Sequence, residues 1–181
     1  YDLPTAAENY GLAFAQLKKV DPQLAASYRI RQAEVLTEYG ELSGNVSALK
    51  EAVGIADNAV LLARAHGDEM LAARASIRLG LALRVLGIGE GETASLRRSA
   101  AILGEALDYF EVHGPQHRTA IALAALGTTL HRLGQRETGT ETLEKALAVF
   151  DRALALTDKT AQPGLWAGRM NDGTEGDRRA G

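Results

Sequence analysis

The side chains able to do chemistry are few and scattered. Four histidines, His66, His113, His117 and His131, are the available imidazoles. His113 and His117 stand four residues apart, a spacing that puts two metal ligands on one helix face, but Gly114-Pro115 between them predicts a break. His66 and His113 each fall where a helix is expected to end, a place the helix dipole favours for a cation. His131 is placed in mid-helix. The acidic pairs Glu90/Glu92 and Glu141/Glu144 fall in links or first turns, where carboxylates serve caps and dipoles. Gly87-Ile-Gly-Glu-Gly91 is glycine-rich like a phosphate loop, yet it follows a predicted helix instead of a strand and lacks the Lys-Ser/Thr ending. No serine sits in a nucleophile motif, and zero Cys removes disulfides, thiolate metal sites and thiol nucleophiles. Arg74, Arg78, Arg84, Arg97 and Arg98 form a local basic set; without interleaved aromatics it reads as a solvated face. No catalytic, cofactor-binding or metal site is expected from these residues, and the chain is expected not to be an enzyme.

What such a chain can offer instead depends on its scaffold. Of 181 residues, 46% are hydrophobic, only 5% are aromatic, and the formal net charge is −3. The mild acidity argues against nucleic acid as a partner, which needs clustered positive charge. The apolar content is mostly Ala and Leu, the leading helix formers and poor strand material, so an all-α fold is expected. No apolar run reaches the roughly 18–20 residues of a membrane span, and no membrane partner is expected. The chain opens Tyr1-Asp2-Leu3-Pro4 without Met or a basic, apolar leader. It therefore reads as a chain from which residues have been removed or as a piece of a longer protein, with the cytoplasm as the expected compartment. Residues 171–181, charged and Gly-rich, read as a disordered tail.

The strongest signal is an internal repeat. Gly40, Gly87 and Gly134 are spaced by 47 residues. Leu36, Leu83 and Leu130 keep that offset, as do Leu49, Leu96 and Leu143, and Ala59, Ala106 and Ala153. Ala26, Ala73, Ala120 and Ala167 carry it into a fourth unit. Each unit reads as two helices. In the second, Asp68 caps a helix expected to run to about Leu86, with Gly87 at its C-terminal end and glycine punctuation to Thr93. A second helix follows from Thr93 to His113, with Leu96, Ala100, Leu103, Leu107 and Phe110 on its buried face. The array is expected over residues 1–170: a half unit at 5–20, full units at 22–66, 68–113 and 115–159, and a partial unit at 162–170. Further links are expected near Ser43-Gly44-Asn45, His66-Gly67-Asp68, Gly134 to Gly139 and Lys159 to Gly164. About seven helices result, and pairs that cannot bury both faces alone stack on their neighbours into an α-solenoid.

Leu126-Gly127, Leu130, Gly134 and then Ala146, Phe150, Ala153 resemble the tetratricopeptide repeat (TPR). Leu79-Gly80, Leu83, Gly87, Ser99, Leu103 and Ala106 match less fully, and the first unit weakly. The 47-residue period exceeds the family's usual one and is most similar to the long-helix variety of bacterial proteins. The resemblance covers about residues 5–170 and implies a right-handed superhelix whose first helices line a concave groove. It implies a non-enzymatic module that binds a peptide or protein segment, with Ser27, Glu34, Thr37, Glu38, Arg74, Leu81, Arg84, Thr128, His131 and Arg132 in the groove. By the same transfer the groove is acidic in the first unit and basic in the later ones. Family members that clamp a C-terminal carboxylate carry Lys and Asn at two of these positions; here they hold Ile30, Ile77 and Ala124, and Glu34, Leu81 and Thr128, so that clamp is absent. The alternatives are a regulatory or sensor array of a larger bacterial signalling protein or enzyme, and a small-ligand-binding or catalytic helical bundle. Apolar surface at Tyr10-Phe14 and near Leu165-Trp166 further points to self-association through the end helices.

Overall fold

The structure is a computed structural model that describes residues 2–161, with side chains through residue 156. Seven helices follow one another: α1 (Leu3–Leu17), α2 (Pro22–Ser43), α3 (Val46–Ala65), α4 (Glu69–Glu90), α5 (Thr93–His113), α6 (Gln116–Gly134) and α7 (Glu141–Ala161). Among the described residues there is no strand, and the links are short enough to make each successive pair antiparallel. The protein is an α-solenoid. Asp68 caps α4 as the sequence predicts, accepting the backbone N–H of Leu71 at 2.8 Å, and Asp21 and Asn45 do the same for α2 and α3 through Leu24 and Ala48 at 2.9 and 3.0 Å. Each such cap satisfies an orphan donor and stabilises its helix by about 1 kcal/mol.

α1 lies over the range of the expected half unit, and α2–α3, α4–α5 and α6–α7 over those of the full units. Two boundaries are corrected. First, α4 does not stop at Leu86-Gly87. It runs on to Glu90, and Gly91, at φ 74°, makes the left-handed turn that ends it. Gly87 is a buried helical residue instead, small because Leu96 and Ser95 of α5 lie against it. Second, α7 continues through Lys159 to Ala161, where a link was expected to begin. The partial unit at 162–170, the remainder of that link and the tail at 171–181 lie outside the described residues.

The repeated glycines mark helix contacts. A Cβ built at Gly40 would meet Leu49 at 2.6 Å, one at Gly87 would meet Leu96 at 3.1 Å, and one at Gly134 would meet Leu143 at 2.7 Å. These are three copies of one Gly–Leu contact, 47 residues apart. A second contact repeats with compensating sizes. Ala33 and Ala56 occupy it in the first unit, Gly80 and Leu103 in the second, Gly127 and Phe150 in the third. Close packing leaves room for one large partner at each level.

The helices form two rows. The first helices of each unit pack on each other, α2 on α4 and α4 on α6, whereas neighbouring second helices do not pack directly among the described residues. A stack tight along one row and splayed along the other curves toward the tight row, so α2, α4 and α6 line the concave side. The central helix α4 touches α2, α3, α5 and α6, and its buried residues run right round it, from Ala75 and Leu79 in one apolar cluster to Ala73 and Ile77 in the next. It is apolar on all sides because it has neighbours on all sides. The outer row is joined through long side chains: Arg98 to Asp57 at 3.4 Å, and Arg152 to Glu111. Two further ion pairs join a second helix to the end of the next unit's first helix, Lys50 to Glu90 at 2.7 Å and Arg97 to Glu137 at 2.9 Å. They are repeat equivalents of each other.

Candidate functional site: a cavity on the concave face

The Leu24 to Glu34 stretch of α2, one turn of α4 and the start of α6 line an open cavity of about 410 Å³, with Tyr10 of α1 also on its wall. Its floor is apolar: Ile30 and Ile77, both buried, with Leu24 and Ile121 at the edges. The Tyr10 and Tyr28 rings form an aromatic rim, with centroids 6.1 Å apart. Above the floor stand Arg31, Arg74, Arg78 and Arg118, with Glu34 as the one acidic lining residue. Residues at i, i+3, i+4 and i+7 share a helix face, which is why 27, 30, 31 and 34 on α2, and 74, 77 and 78 on α4, arrive together.

Glu34 is fully engaged. Its Oε2 accepts from Arg31 Nη1 at 2.9 Å and its Oε1 from Arg78 Nη2 at 2.9 Å, one guanidinium on each oxygen. Arg74 and Arg118 have no ion pair among the described residues. Burial, and then the fields of Arg118, Arg31 and Arg78, pull the Arg74 guanidinium below its ordinary value. Asp68 opposes that shift from the N-cap of α4, where its carboxylate is committed to the Leu71 N–H. Four cations against one carboxylate make this cavity locally positive in a chain whose net charge is negative.

Of the ten residues placed in a groove by resemblance, Ser27, Glu34 and Arg74 line this cavity. The other seven do not. Thr37 and Thr128 turn their hydroxyls back to the carbonyls of Ala33 and Ala124, at 2.7 Å each. Glu38 is exposed farther along α2. Leu81 packs against the second apolar cluster, and the half-buried Arg84 leaves its Nε without a partner. His131 and Arg132 both reach Gln135, at 3.1 and 3.4 Å, at the end of α6. Glu34 of the first unit and Arg74, Arg78 and Arg118 of the later ones meet in this cavity, with Arg31 of the first unit beside Glu34. The basic set divides too: Arg74 and Arg78 enter the cavity, while Arg97 and Arg98 are tied to Glu137 and Asp57 from α5.

Tyr10 and Tyr28, Arg31 and Arg118 escape notice in the sequence. The repeat carries a signal for Arg31 alone of these four. Arg31 and Arg78 are 47 residues apart, and so are Ser27, Arg74 and Ile121. Tyr10 has no such mark, since it comes from the preceding half unit. The apolar surface expected at Tyr10-Phe14 is offered by Leu12 more than by the rings. Both rings are half-buried toward α2, Tyr10 on Tyr28 and Phe14 beneath the Arg29 guanidinium at 3.7 Å, and it is Leu12 that faces outward. Leu165-Trp166 lies outside the described residues. No described helix is long and apolar enough to cross a membrane.

No family model matches the chain, and no curated protein does. Solved helical-repeat structures are similar to it. A "DHF58 filament" is 24% identical over 92% of this chain and 84% of its own, with a TM-score of 0.48. The de novo designed helical repeat protein DHR64 is 22% identical over 88% and 83%, with a TM-score of 0.46.

Proposed function

We propose that this array is a TPR-like interaction module that binds a peptide or protein segment along α2, α4 and α6. The observation that carries this reading is the cavity itself: it is built from all three full units and the half unit, and it opens on the inner row of helices. A binding site needs a concavity with an apolar floor and a few convergent polar groups, and about 300–1,000 Å³ is the usual size. The cavity of about 410 Å³ meets each condition. The role is one of recognition, without bond making or breaking, in a protein of the cytoplasm.

The test is selection of peptides from a display library on the immobilised protein, followed by hydrogen exchange of the chain with and without a selected peptide. Protection concentrated on α2, α4 and α6 is the expected result. Protection confined to α3, α5 and α7, or a library that yields no binder, overturns the reading.

A further inference from the structure

We propose that the concave cavity is an oxyanion subsite, in which Arg74 and Arg118 hold a carboxylate or phosphate of a bound acidic peptide while its neighbouring apolar side chain lies on Ile30, Ile77 and Ile121. The inference deepens the proposed function by naming the chemistry of the ligand, and it rests on that function in taking the ligand to be a peptide.

Three observations carry it. First, Glu34 shows how this site holds a carboxylate: one guanidinium meets each oxygen at 2.9 Å, one from its own helix and one from the next unit. Arg74 and Arg118 stand in the same cavity, also on adjacent units, with no carboxylate of the described chain on them. Second, the charge is local. The chain as a whole carries −3, so a cluster of four arginines with one acid is a departure from its surroundings. Apolar walls focus such a field, and a planar guanidinium fork matches carboxylate and phosphate geometry. Asp68 does not cancel it, because at Arg74 its opposing field is smaller than those of Arg118, Arg31 and Arg78. Third, the apolar floor and Tyr rim adjoin the cations, so a bare ion would use only half the site. A peptide that places an acidic residue beside a Leu- or Ile-like side chain uses both.

The test uses the full chain and three fluorescein-labelled heptapeptides, Gly-Ala-Leu-X-Leu-Ala-Gly, where X is Glu, phosphoserine or Gln. Fluorescence polarisation reads binding. The Glu or the phosphoserine peptide is expected to bind at least roughly tenfold more tightly than the uncharged Gln peptide, and comparison of the two identifies the oxyanion. Arg74→Gln and Arg118→Gln are each expected to weaken the charged peptide about tenfold or more and to leave the Gln peptide unchanged, with Arg74→Lys between. Arg74→Gln relieves repulsion among cations, so its melting temperature is expected to hold, which separates lost binding from lost folding. Equal binding of the Gln peptide to the same cavity overturns the oxyanion subsite and leaves the groove standing. Unchanged affinity in both arginine variants, or no binding of either charged peptide, also overturns it.

Discussion

Replacing Gly80 by Ala puts a methyl 2.5 Å from Leu103 Cγ and 2.7 Å from its Cδ2. Leu103 is fully buried, and the struck atom is its branch point, so the side chain cannot swing clear. Either α4 and α5 part or Leu103 leaves its rotamer, and overpacking of this kind costs about 1–3 kcal/mol. Against it stands the gain of about 1 kcal/mol from putting Ala where Gly stood in a helix interior. The net expectation is a loss of about 0–2 kcal/mol. Leu103→Ala alone leaves a cavity and is expected to cost about 2–5 kcal/mol. The double variant reproduces the first unit's own pair, Ala33 with Ala56, both fully buried. In that background the added methyl meets no obstacle, so Gly80→Ala becomes stabilising by about 1 kcal/mol and the coupling energy comes to roughly 1–3 kcal/mol. Urea unfolding of the four proteins, followed by far-UV circular dichroism, measures the cycle. A Gly80→Ala that stabilises the wild-type chain as much as it stabilises Leu103→Ala refutes the contact, and with it the explanation of why small and large residues alternate through the repeat.

Gly54 and Gly104 meet nothing within 4 Å on their open sides, so Gly54→Ala and Gly104→Ala are each expected to raise stability by about 0.5–1 kcal/mol in the same assay, opposite in sign to Gly80→Ala. Ser99, fully buried, donates to the Gly80 carbonyl at 2.6 Å and lies 3.3 Å from the Thr129 hydroxyl; Ser99→Ala is expected to cost about 1–2 kcal/mol in chemical denaturation. The hydroxyl of Thr142 and then Arg97 hold the Glu137 carboxyl below its ordinary value. A depressed carboxyl stabilises the fold above its unfolded-state value, and that contribution fades as pH falls through the folded one. Glu137→Gln is therefore expected to flatten the acid limb of a plot of urea midpoint against pH, while the neutral-to-acid slope of the wild-type chain stays steeper.

The helical pairs were legible because Leu and Ala recur at one offset and because caps such as Asp68 have a chemical signature. Gly87 and Gly91 show where that legibility stops. Both are glycines beside a helix end, but one is small to admit Leu96 and the other is needed for a positive φ, and composition alone does not separate the two reasons. The candidate site was legible in part. Ser27, Glu34 and Arg74 follow from knowing which helices face inward, whereas Arg118 and Tyr10 join them only because α6 and α1 add to the cavity wall from outside α2 and α4. Their neighbours in space lie too far along the chain for any helical period to connect. Arg31 and Arg78 were within reach, since the same 47-residue offset that finds the core also pairs them.

The inner helices touch, while the outer ones are bridged by pairs such as Arg98 with Asp57. A strip bonded along one edge bends about that edge, and its stiffness is set by whatever spans the other. Here the spanning elements are exposed ionic struts, each weak and each screened by salt. With only weak struts across its outer edge, the packed inner row is what holds the helices of the strip together.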